Sequence, residues 1–311
     1  MDSIKIFSGS SNPIFAEKVC AYLGVKLGDI KRKKFSDGET FIKLGENIRG
    51  ADVFLIQSTS NPANDHIMEL LLMIDACVRA SAGRITVVMP YYGYARQDRK
   101  SEPRVPISAK VLANLLQNSG TDRILTMDLH ANQIQGFFDL PVDHLYASRA
   151  FLDYAKKLEL KDLTVVSPDA GGSERARFLA KKLNADLALI DKRRPEANVA
   201  EVLNIIGEVE DRNIIIVDDM VDTAGTITEA VSALRGKGAK DIYIFASHGI
   251  LSGVGLERVK NLPAKEIIIT DSILVPGTEN IKNLRILSVA NLFGEAIRRI
   301  HNEESINALF I

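Results

Sequence analysis

Short runs of apolar, mostly β-branched residues alternate with helical patterns along the whole chain, and this alternation constrains the fold most. The runs predicted as strands are residues 4–7, 53–57, 85–89, 124–127, 164–167, 187–190, 214–217, 242–246, 267–270 and 285–288. The segments predicted as helices are residues 13–24, 65–81, 108–119, 173–183, 226–235 and 291–301. Many strand runs are apolar at every position, which is typical of parallel strands covered on both faces. The pattern predicts an α/β fold with mainly parallel sheets flanked by helices.

The length of the chain, 311 residues, corresponds to about two domains of ~150 residues each. Residues 52–89 and 213–246 share one order of strand, polar loop, helix, glycine-containing turn and strand. We interpret these segments as parts of two similar domains, residues 1–146 and residues 147–311. Duplication is one explanation of the likeness, and chance is the other, because all βαβ units share this pattern.

Composition and short motifs exclude several classes of function. The 39 Lys and Arg residues balance 40 Asp and Glu residues, so neither a nucleic-acid partner nor a basic membrane-binding surface is expected. Cys20 and Cys77 form no CxxC pair, and Cys77 is expected in the core. No apolar run reaches the ~20 residues of a membrane span and no signal-peptide pattern is present, so a cytoplasmic location is expected. Neither GxxxxGK(S/T) nor GxGxxG after a strand occurs, which disfavours P-loop kinases and dinucleotide dehydrogenases.

The segment IIIVDDMVDTAGTI, residues 214–227, carries the most specific chemical signal. We expect an apolar strand that ends before Asp218 and Asp219, and a helix that begins near Thr226. Ligands of parallel α/β sheets bind at the carboxyl ends of the strands. Backbone N–H groups at a helix start, with the hydroxyls of Thr223 and Thr226, suit a phosphate monoester, and the two carboxylates suit vicinal sugar hydroxyls. The pattern predicts a ribose 5-phosphate loop; its structural alternative is a capped helix after a buried strand.

This loop resembles the one shared by type I phosphoribosyltransferases and ribose-phosphate pyrophosphokinases, and alone it does not distinguish them. Further segments resemble the ribose-phosphate pyrophosphokinase family, in the family's order: KIFSGSSN (5–12), KFSDGE (34–39), NIRG (47–50), PYYGYARQDRK (90–100), PISAK (106–110), MDLHANQIQGFFDLPVDHL (127–145), VSPDAGG (166–172) and IDKRRP (190–195). The resemblance therefore extends through both predicted domains. It implies two α/β domains of the type I phosphoribosyltransferase kind. It also implies transfer of the β,γ-pyrophosphoryl group of MgATP to the 1-hydroxyl of ribose 5-phosphate, with phosphoribosyl pyrophosphate and AMP as products.

The resemblance also implies roles for individual residues. Lys192 and Arg194 would be catalytic, because cations stabilise the charge of the transferred group; a solvated basic turn is the alternative. The residues implied in ATP binding are Phe35, Asp37, Gly38, Glu39, Arg96, Gln97 and Arg99. The residues implied in ribose 5-phosphate binding are Arg194, Asp218, Asp219, Asp222, Thr223, Ala224, Gly225 and Thr226. Asp37-Gly38 is also typical of a hairpin turn, and both interpretations can hold together.

The implied metal is Mg²⁺, at positions marked by His130 and Asp169. Mg²⁺ prefers oxygen ligands, so Asp169 is the easier assignment, and His130 either coordinates the metal or hydrogen-bonds a water or phosphate there. The family also implies homo-oligomers, a hexamer built from dimers, with ADP and inorganic phosphate as effectors and with the segment 35–39 reaching a neighbouring subunit's site. The matching regulatory positions are Ser81, Arg104, Ser108 and Gln135. Glu102 stands in a stretch that is more basic in many members, so we expect a changed response to phosphate.

Two other functions stay open at this point. A type I phosphoribosyltransferase would use the same loop, but it has no need of the N-terminal segments. A catalytically silent regulatory homologue should have lost the basic loop or the sugar loop, and both are present in this sequence. The proton acceptor is also open between Asp218 and a metal-bound water. His66 and His301 are expected on exposed helix faces.

Overall fold

The computed structural model describes residues 4–193 and 202–309. The strands of the N-terminal half are β1 (Ile4–Ser8), β2 (Ile30–Lys34), β3 (Thr40–Leu44), β4 (Asp52–Ile56), β5 (Arg84–Met89), β6 (Arg123–Met127) and β7 (Val142–Leu145). Its helices are α1 (Pro13–Leu23), α2 (Ala63–Arg79) and α3 (Ser108–Asn118). The order of elements follows the predicted alternation.

The C-terminal half continues the alternation. Its strands are β8 (Leu163–Ser167), β9 (Asp186–Arg193), β10 (Val202–Ile206), β11 (Asn213–Val221), β12 (Ile242–Gly249), β13 (Glu266–Thr270) and β14 (Leu284–Leu287). Its helices are α4 (Ser148–Lys157), α5 (Ser173–Leu183), α6 (Gly225–Gly236), α7 (Gly255–Asn261) and α8 (Ala290–His301). Among the described residues, no helix has both the length and the apolar composition needed to cross a bilayer.

Two parallel sheets form the framework, as the sequence predicted. The first has the order β1-β4-β5-β6-β7, and all its neighbours are parallel. The second has the order β10-β9-β8-β11-β12-β13-β14, and only the pair β10–β9 is antiparallel. Strands β2 and β3 form a separate antiparallel hairpin. The prediction of an α/β fold with mainly parallel sheets is confirmed.

The two sheets repeat one topology. In the first, a hairpin (β2–β3) lies in sequence between β1 and β4, and the strands β5, β6 and β7 then follow in spatial order. In the second, the antiparallel pair β9–β10 lies in sequence between β8 and β11, and β12, β13 and β14 follow in the same way. This shared order supports the interpretation of two similar domains.

By its internal contacts the chain divides into two compact units. Unit 1 contains residues 1–146, 272–274 and 288–311, and unit 2 contains residues 147–271 and 275–287. The first division, between Tyr146 and Ala147, lies where the sequence analysis placed a domain boundary. The second differs from that analysis, which assigned residues 288–311 to the C-terminal domain.

Helix α8 belongs to unit 1 because it packs on α1. The buried ring of Phe293 meets the ring of Phe15 edge-on, with 5.4 Å between the centroids. A Cβ at Gly294 would lie 2.5 Å from the ring of Tyr22, so the absence of a side chain lets the two helices approach closely. The hydroxyl of Tyr22 donates a hydrogen bond to Oε2 of Glu295 at 3.1 Å. Contacts that are distant in sequence therefore decide where this helix lies.

Local sequence signals fix the ends of α1 and the burial of the central strands. The side chain of Asn12 accepts a hydrogen bond from the N–H of Phe15 at 3.1 Å, and Pro13 occupies the first turn. Gly24 ends the helix at φ +69°, a conformation that glycine adopts without strain. All five residues of β4 and all eight of β12 are buried, as expected for strands with helices on both faces.

Candidate active site

The acidic pair lies inside β11 and not after it, which corrects the predicted strand end at residue 217. β11 continues to Val221 because β12 runs beside it as far as the pair Val221 and Gly249. On the other side, the described pairing with β8 ends at Ile216. Asp218 and Asp219 therefore lie at the carboxyl edge of the sheet, on a part of β11 that extends beyond β8.

The two carboxylates of this pair have different environments. Asp218 keeps more solvent-exposed surface than the buried Asp219, although most of its side chain is surrounded by protein, and its Oδ1 accepts a hydrogen bond from the N–H of Asp219 at 2.8 Å. Burial raises the pKa of Asp218 well above its ordinary value, the neighbouring Asp219 and the charge of Asp169 raise it further, and Arg175 opposes them. The raised pKa makes this carboxyl group a better proton acceptor than an ordinary aspartate.

The loop after β11 forms the start of α6, one residue before the predicted position. Ala224 has φ +58°, and its carbonyl oxygen accepts hydrogen bonds from the N–H and the hydroxyl of Thr228 at 3.0 and 2.6 Å. Thr223 and Thr226 are exposed. The first N–H groups of a helix have no acceptor within the helix, and their dipoles favour an anion. The loop therefore has the donors that a phosphate needs.

Asp169 follows β8 in a tight turn at the start of α5. Its Oδ1 accepts a hydrogen bond from the N–H of Gly172 at 2.9 Å, and its carbonyl accepts one from the hydroxyl of Ser167 at 2.7 Å. A Cβ at Gly172 would lie 2.9 Å from Oγ of Ser167, so the turn favours glycine there. Asp169 is exposed and its charge acts on Asp218, so the structure brings these two carboxylates into one region of unit 2.

The basic segment is only partly described. Lys192 lies on β9, where its backbone pairs with Leu203 of β10. The side chain of Lys192 and the whole of Arg194 lie outside the described part of the chain. Their catalytic roles stay a prediction.

In unit 1, the candidate ATP-binding residues Arg96, Gln97 and Arg99 are exposed on the loop between β5 and α3. Gln97 anchors this loop. Its N–H donates to the carbonyl of Tyr94 at 3.0 Å, and its Oε1 accepts a hydrogen bond from the hydroxyl of Ser108 at 2.5 Å. Ser108, expected at a regulatory position, thus supports a residue expected to bind ATP.

The other candidate ATP-binding residues form the turn of the β2–β3 hairpin, as Asp37-Gly38 predicted. Phe35 donates its N–H to the carbonyl of Glu39 at 2.8 Å, Asp37 Oδ1 accepts from the N–H of Glu39 at 3.0 Å, and Gly38 has φ +94°. The ring of Phe35 is 44% exposed, and Nζ of Lys33 lies 4.8 Å from its centroid. An exposed aromatic ring on a fixed turn can stack on a purine.

His130 is exposed on the loop after β6. This loop is fixed by His144, whose Nε2 accepts a hydrogen bond from the N–H of Leu129 at 2.9 Å, and by Asp128, whose N–H donates to Leu145 at 3.0 Å. No role for His144 follows from the sequence. His144 lies on β7, a four-residue strand that the apolar pattern did not predict. Its position beside the loop of His130 could therefore not be predicted from the sequence.

The described residues contain no group of three or more His, Cys, Asp or Glu side chains arranged to hold a metal. Mg²⁺ usually keeps several waters and uses one or two carboxylates together with substrate phosphates. The exposed Asp169 carboxylate, whose Oδ1 accepts the backbone hydrogen bond from Gly172, fits this kind of ligand set. His130 supplies a nitrogen donor, which Mg²⁺ prefers less.

The four expected regulatory residues all lie in unit 1. Ser81 and Arg104 are exposed with φ +59° and +68°, and Ser81 accepts a backbone hydrogen bond from Gly50 at 2.8 Å. Nε2 of Gln135 donates to the carbonyl of Asn132 at 3.0 Å. Their regulatory role stays a prediction.

Two parallel α/β units, with an acidic strand that leads into a helix-start loop, define a class of protein: enzymes that bind phosphorylated substrates at the carboxyl edge of a sheet. A family model described as the N-terminal domain of ribose phosphate pyrophosphokinase matches residues 4–120. A second, described as the phosphoribosyl synthetase-associated domain, matches residues 188–311.

Relatives that match the chain over nearly its whole length belong to the same family. Ribose-phosphate pyrophosphokinases of Synechocystis sp. and Campylobacter jejuni are 54% and 52% identical to the chain, over 99% and 100% of its length and 92% and 100% of theirs. The crystal structure of phosphoribosylpyrophosphate synthetase from Mycobacterium smegmatis is 40% identical, covers 97% of this chain and 100% of its own, and has a TM-score of 0.92. The chain belongs to the ribose-phosphate pyrophosphokinase family. It is an enzyme of the kinase type that uses ATP.

Proposed function

We propose that this chain transfers the β,γ-pyrophosphoryl group of MgATP to the 1-hydroxyl of ribose 5-phosphate and releases 5-phosphoribosyl 1-pyrophosphate and AMP. The product serves nucleotide biosynthesis. The observation that carries the proposal is the pair Asp218 and Asp219 on β11, immediately before a helix-start loop, in a chain of this family. The ribose hydroxyl attacks the β-phosphorus in line. Orienting both substrates removes much of the entropic barrier of a bimolecular reaction.

Ribose 5-phosphate is held by residues of unit 2. The carboxylates of Asp218 and Asp219 accept hydrogen bonds from the vicinal ribose hydroxyls. The first N–H groups of α6 and the exposed hydroxyls of Thr223 and Thr226 hold the 5-phosphate. The remaining residues proposed for this substrate are Asp222, Ala224, Gly225 and Arg194.

ATP is held by residues of unit 1. Arg96 and Arg99 bind the polyphosphate, because guanidinium groups contact phosphate oxygens in pairs. Phe35 stacks on the adenine ring. The remaining residues proposed for ATP are Asp37, Gly38, Glu39 and Gln97. The hairpin turn 35–39 is proposed to serve the site of a neighbouring subunit.

Charge on the transferred group is stabilised by Lys192 and Arg194, since phosphoryl transfer depends mainly on positioning and electrostatics. Mg²⁺ is the proposed metal, and when bound it neutralises negative charge on the phosphates. Asp169 would hold it through its exposed carboxylate, and His130 marks a second metal position.

The proposal extends to assembly and regulation. The chain forms a homo-oligomer in the cytoplasm, a hexamer built from three dimers, and nucleic acid is not a partner. ADP inhibits and inorganic phosphate activates it, through Ser81, Arg104, Ser108 and Gln135. The exposed Glu102 weakens anion binding near Arg104, so phosphate activation has an altered profile.

A product assay tests the reaction. Purified protein is mixed with MgATP, ribose 5-phosphate and inorganic phosphate, and AMP, ADP and phosphoribosyl pyrophosphate are separated. We expect AMP and phosphoribosyl pyrophosphate in equal amounts, formed only when ribose 5-phosphate is present. In a Lys192→Ala variant we expect at least a ~100-fold lower rate, because a cation that stabilises transition-state charge has been removed.

The other outcomes distinguish the alternatives. ADP in place of AMP would show an ordinary kinase and contradict pyrophosphoryl transfer. Binding of both substrates without turnover would favour a regulatory subunit. A Lys157→Ala variant, which removes a cation from the last turn of α4, is the matched control and should retain the wild-type rate.

A further inference from the structure

The segment that follows β12, residues 250–258, braces the loop that we assign to ribose 5-phosphate; we call it the bracing segment. The carbonyl oxygen of Val221 accepts hydrogen bonds from the N–H groups of residues 250 and 251, at 2.9 and 3.1 Å. The hydroxyl of Ser252 donates a hydrogen bond to Oδ1 of Asp222. The bracing segment thus holds both the end of β11 and the first side chain of the loop.

The bracing segment continues along the loop through α7. The α-carbon of Gly255 approaches the carbonyl of Asp222 so closely that a Cβ would lie 2.1 Å from that oxygen. One turn later, Nη1 of Arg258 donates a hydrogen bond to the carbonyl oxygen of Thr223 at 3.0 Å. The last residue of β11 and the first two residues of the loop, 221–223, are therefore each held by the bracing segment.

The hydrogen bond of Arg258 fixes the direction of one peptide group. In a trans peptide the C=O and the following N–H point in opposite directions. Because the carbonyl of Thr223 points toward Arg258, the N–H of Ala224 points away from α7. Ala224 has the unusual φ of +58°. Without such a contact, we expect its backbone to adopt one of the commoner conformations with negative φ.

The guanidinium of Arg258 also lies beside the start of α6. A Cβ at Gly225 would be 3.4 Å from Nη1 of Arg258, an ordinary van der Waals distance, so the guanidinium lies next to the first residue of α6. Arg258 is exposed, and one of its five N–H donors is used by the carbonyl of Thr223. Its charge adds to the positive end of the α6 dipole.

We propose that Arg258 is a positioning residue for the 5-phosphate of ribose 5-phosphate. By holding the carbonyl of Thr223, it aims the N–H of Ala224 at the phosphate and keeps the loop in the conformation that binds it. Ser252 supports the same loop through Asp222. This inference rests on the proposed function, because it assumes that the loop binds a sugar phosphate.

The test compares Arg258→Leu and Arg258→Lys with the wild type. In Arg258→Leu we expect the KM for ribose 5-phosphate to rise about tenfold, which is the effect of losing one hydrogen bond from a charged donor. The KM for ATP should change by less than about twofold, because the substitution is local to the sugar-phosphate loop. Arg258→Lys should restore part of the affinity, since an ammonium group can still donate to the carbonyl.

A second measurement does not depend on turnover. Ribose 5-phosphate alone should raise the Tm of the wild type, and raise that of Arg258→Leu clearly less at the same concentration. Lys260→Leu is the matched control: it removes an exposed cation from the same helix, and it should behave like the wild type in both measurements.

Each contrary outcome identifies what fails. If Arg258→Leu binds ribose 5-phosphate as the wild type does, or if both KM values rise together, the positioning role is wrong and the proposed function stands. If Lys260→Leu raises the KM equally, general charge and not the hydrogen bond is responsible, and the positioning role is again wrong. If ribose 5-phosphate does not shift the Tm of the wild type, the proposed function fails together with the inference.

Discussion

At the scale of single residues, burial decides which ionisable groups can react. Asp52 is 4% exposed, and its carboxylate receives two hydrogen bonds from Arg84, at 2.8 and 2.5 Å. Nδ1 of His301 lies 2.8 Å from the same carboxylate. Through these contacts the carboxylate connects α8 and β5 to the start of β4.

Burial disfavours the thiolate form of the two cysteines, and the charge of Glu17 disfavours that of Cys20 further. The pKa of Cys20 is raised to about 11 and that of Cys77 to about 12. Since the thiolate is the reactive form, we expect both thiols to resist a disulfide reagent in the folded protein at pH 8 and to react rapidly after denaturation. Counting released chromophore before and after adding guanidinium tests this. One equivalent of fast reaction in the native state would contradict it.

The burial of a helix residue cannot always be predicted from the sequence, as two histidines show. His66 and His301 are predicted on exposed helix faces; this is wrong for His66, whereas His301 is partly exposed. His66 is buried, with Nδ1 2.8 Å from the carbonyl of Ser60, and His301 contacts Asp52. Helical periodicity defines a face, but only the neighbouring element determines whether that face is covered. The core position of Cys77, in contrast, followed from its apolar helix and is confirmed.

At the scale of elements, the ten predicted strands and six predicted helices are all present, because apolar runs identify buried elements reliably. The elements that were missed are half-exposed, short or strongly charged: β2, β3, β7, β10, α4 and α7. β2 has the sequence IKRKK, and no apolar pattern identifies it. The end of β11 was placed too early, because its last residues depend on pairing with β12, which is not visible in the local sequence.

The docking of α8 on α1 predicts a pH dependence. Hydrogen bonds from Arg298, Arg299 and Tyr22 lower the pKa of Glu295 to about 2. Its unfolded-state value is about 4.3, so the carboxylate stabilises the folded state above that pH, and the contribution is lost as the pH falls toward 2. Urea unfolding between pH 2 and pH 6 should show that Glu295→Gln is less stable than the wild type at pH 6, with the difference disappearing near pH 2.

The control for this experiment is Glu17→Gln, which removes an exposed carboxylate from α1. Its stability difference from the wild type should be small at every pH, because surface carboxylates contribute little. A stability difference for Glu295→Gln that stays constant from pH 2 to pH 6 would contradict the role of its ionised form.

At the scale of the whole molecule, the two units share a topology but not a site. β11 carries an acid pair before its loop, whereas the corresponding segment after β4, QSTSNP, carries amide and hydroxyl groups. Two of these side chains form hydrogen bonds within unit 1. Nε2 of Gln57 donates to Glu69 at 3.4 Å, and the hydroxyl of Ser58 donates to the carbonyl of Ser272 at 2.6 Å. Only the likeness of the two segments is predicted from the sequence; the difference between their loops follows from the hydrogen bonds of unit 1.

The division into units predicts where a core substitution acts. Phe293 and Phe245 are both fully buried, the first in unit 1 and the second in unit 2. Replacing either by Ala should cost about 3–5 kcal/mol. Hydrogen exchange should then accelerate in α1 and β1 for Phe293→Ala. For Phe245→Ala it should accelerate in α4 and β12, because the ring of Phe245 packs on that of Phe151 with 5.4 Å between the centroids. Faster exchange of unit 2 in Phe293→Ala would show that α8 does not belong to unit 1.

The packing of α8 on α1 sets an order of assembly during synthesis. Unit 2 consists of residues 147–271 and 275–287, so its whole chain has been made before α8 has. Unit 1 begins first but ends last, because the ring that covers Phe15 is supplied by Phe293. Domains on the ribosome usually complete in the order in which they are made. Here unit 1 keeps an uncovered apolar surface until α8 has been made, so chaperones that recognise nascent apolar segments should bind α1 for longer than they bind α6.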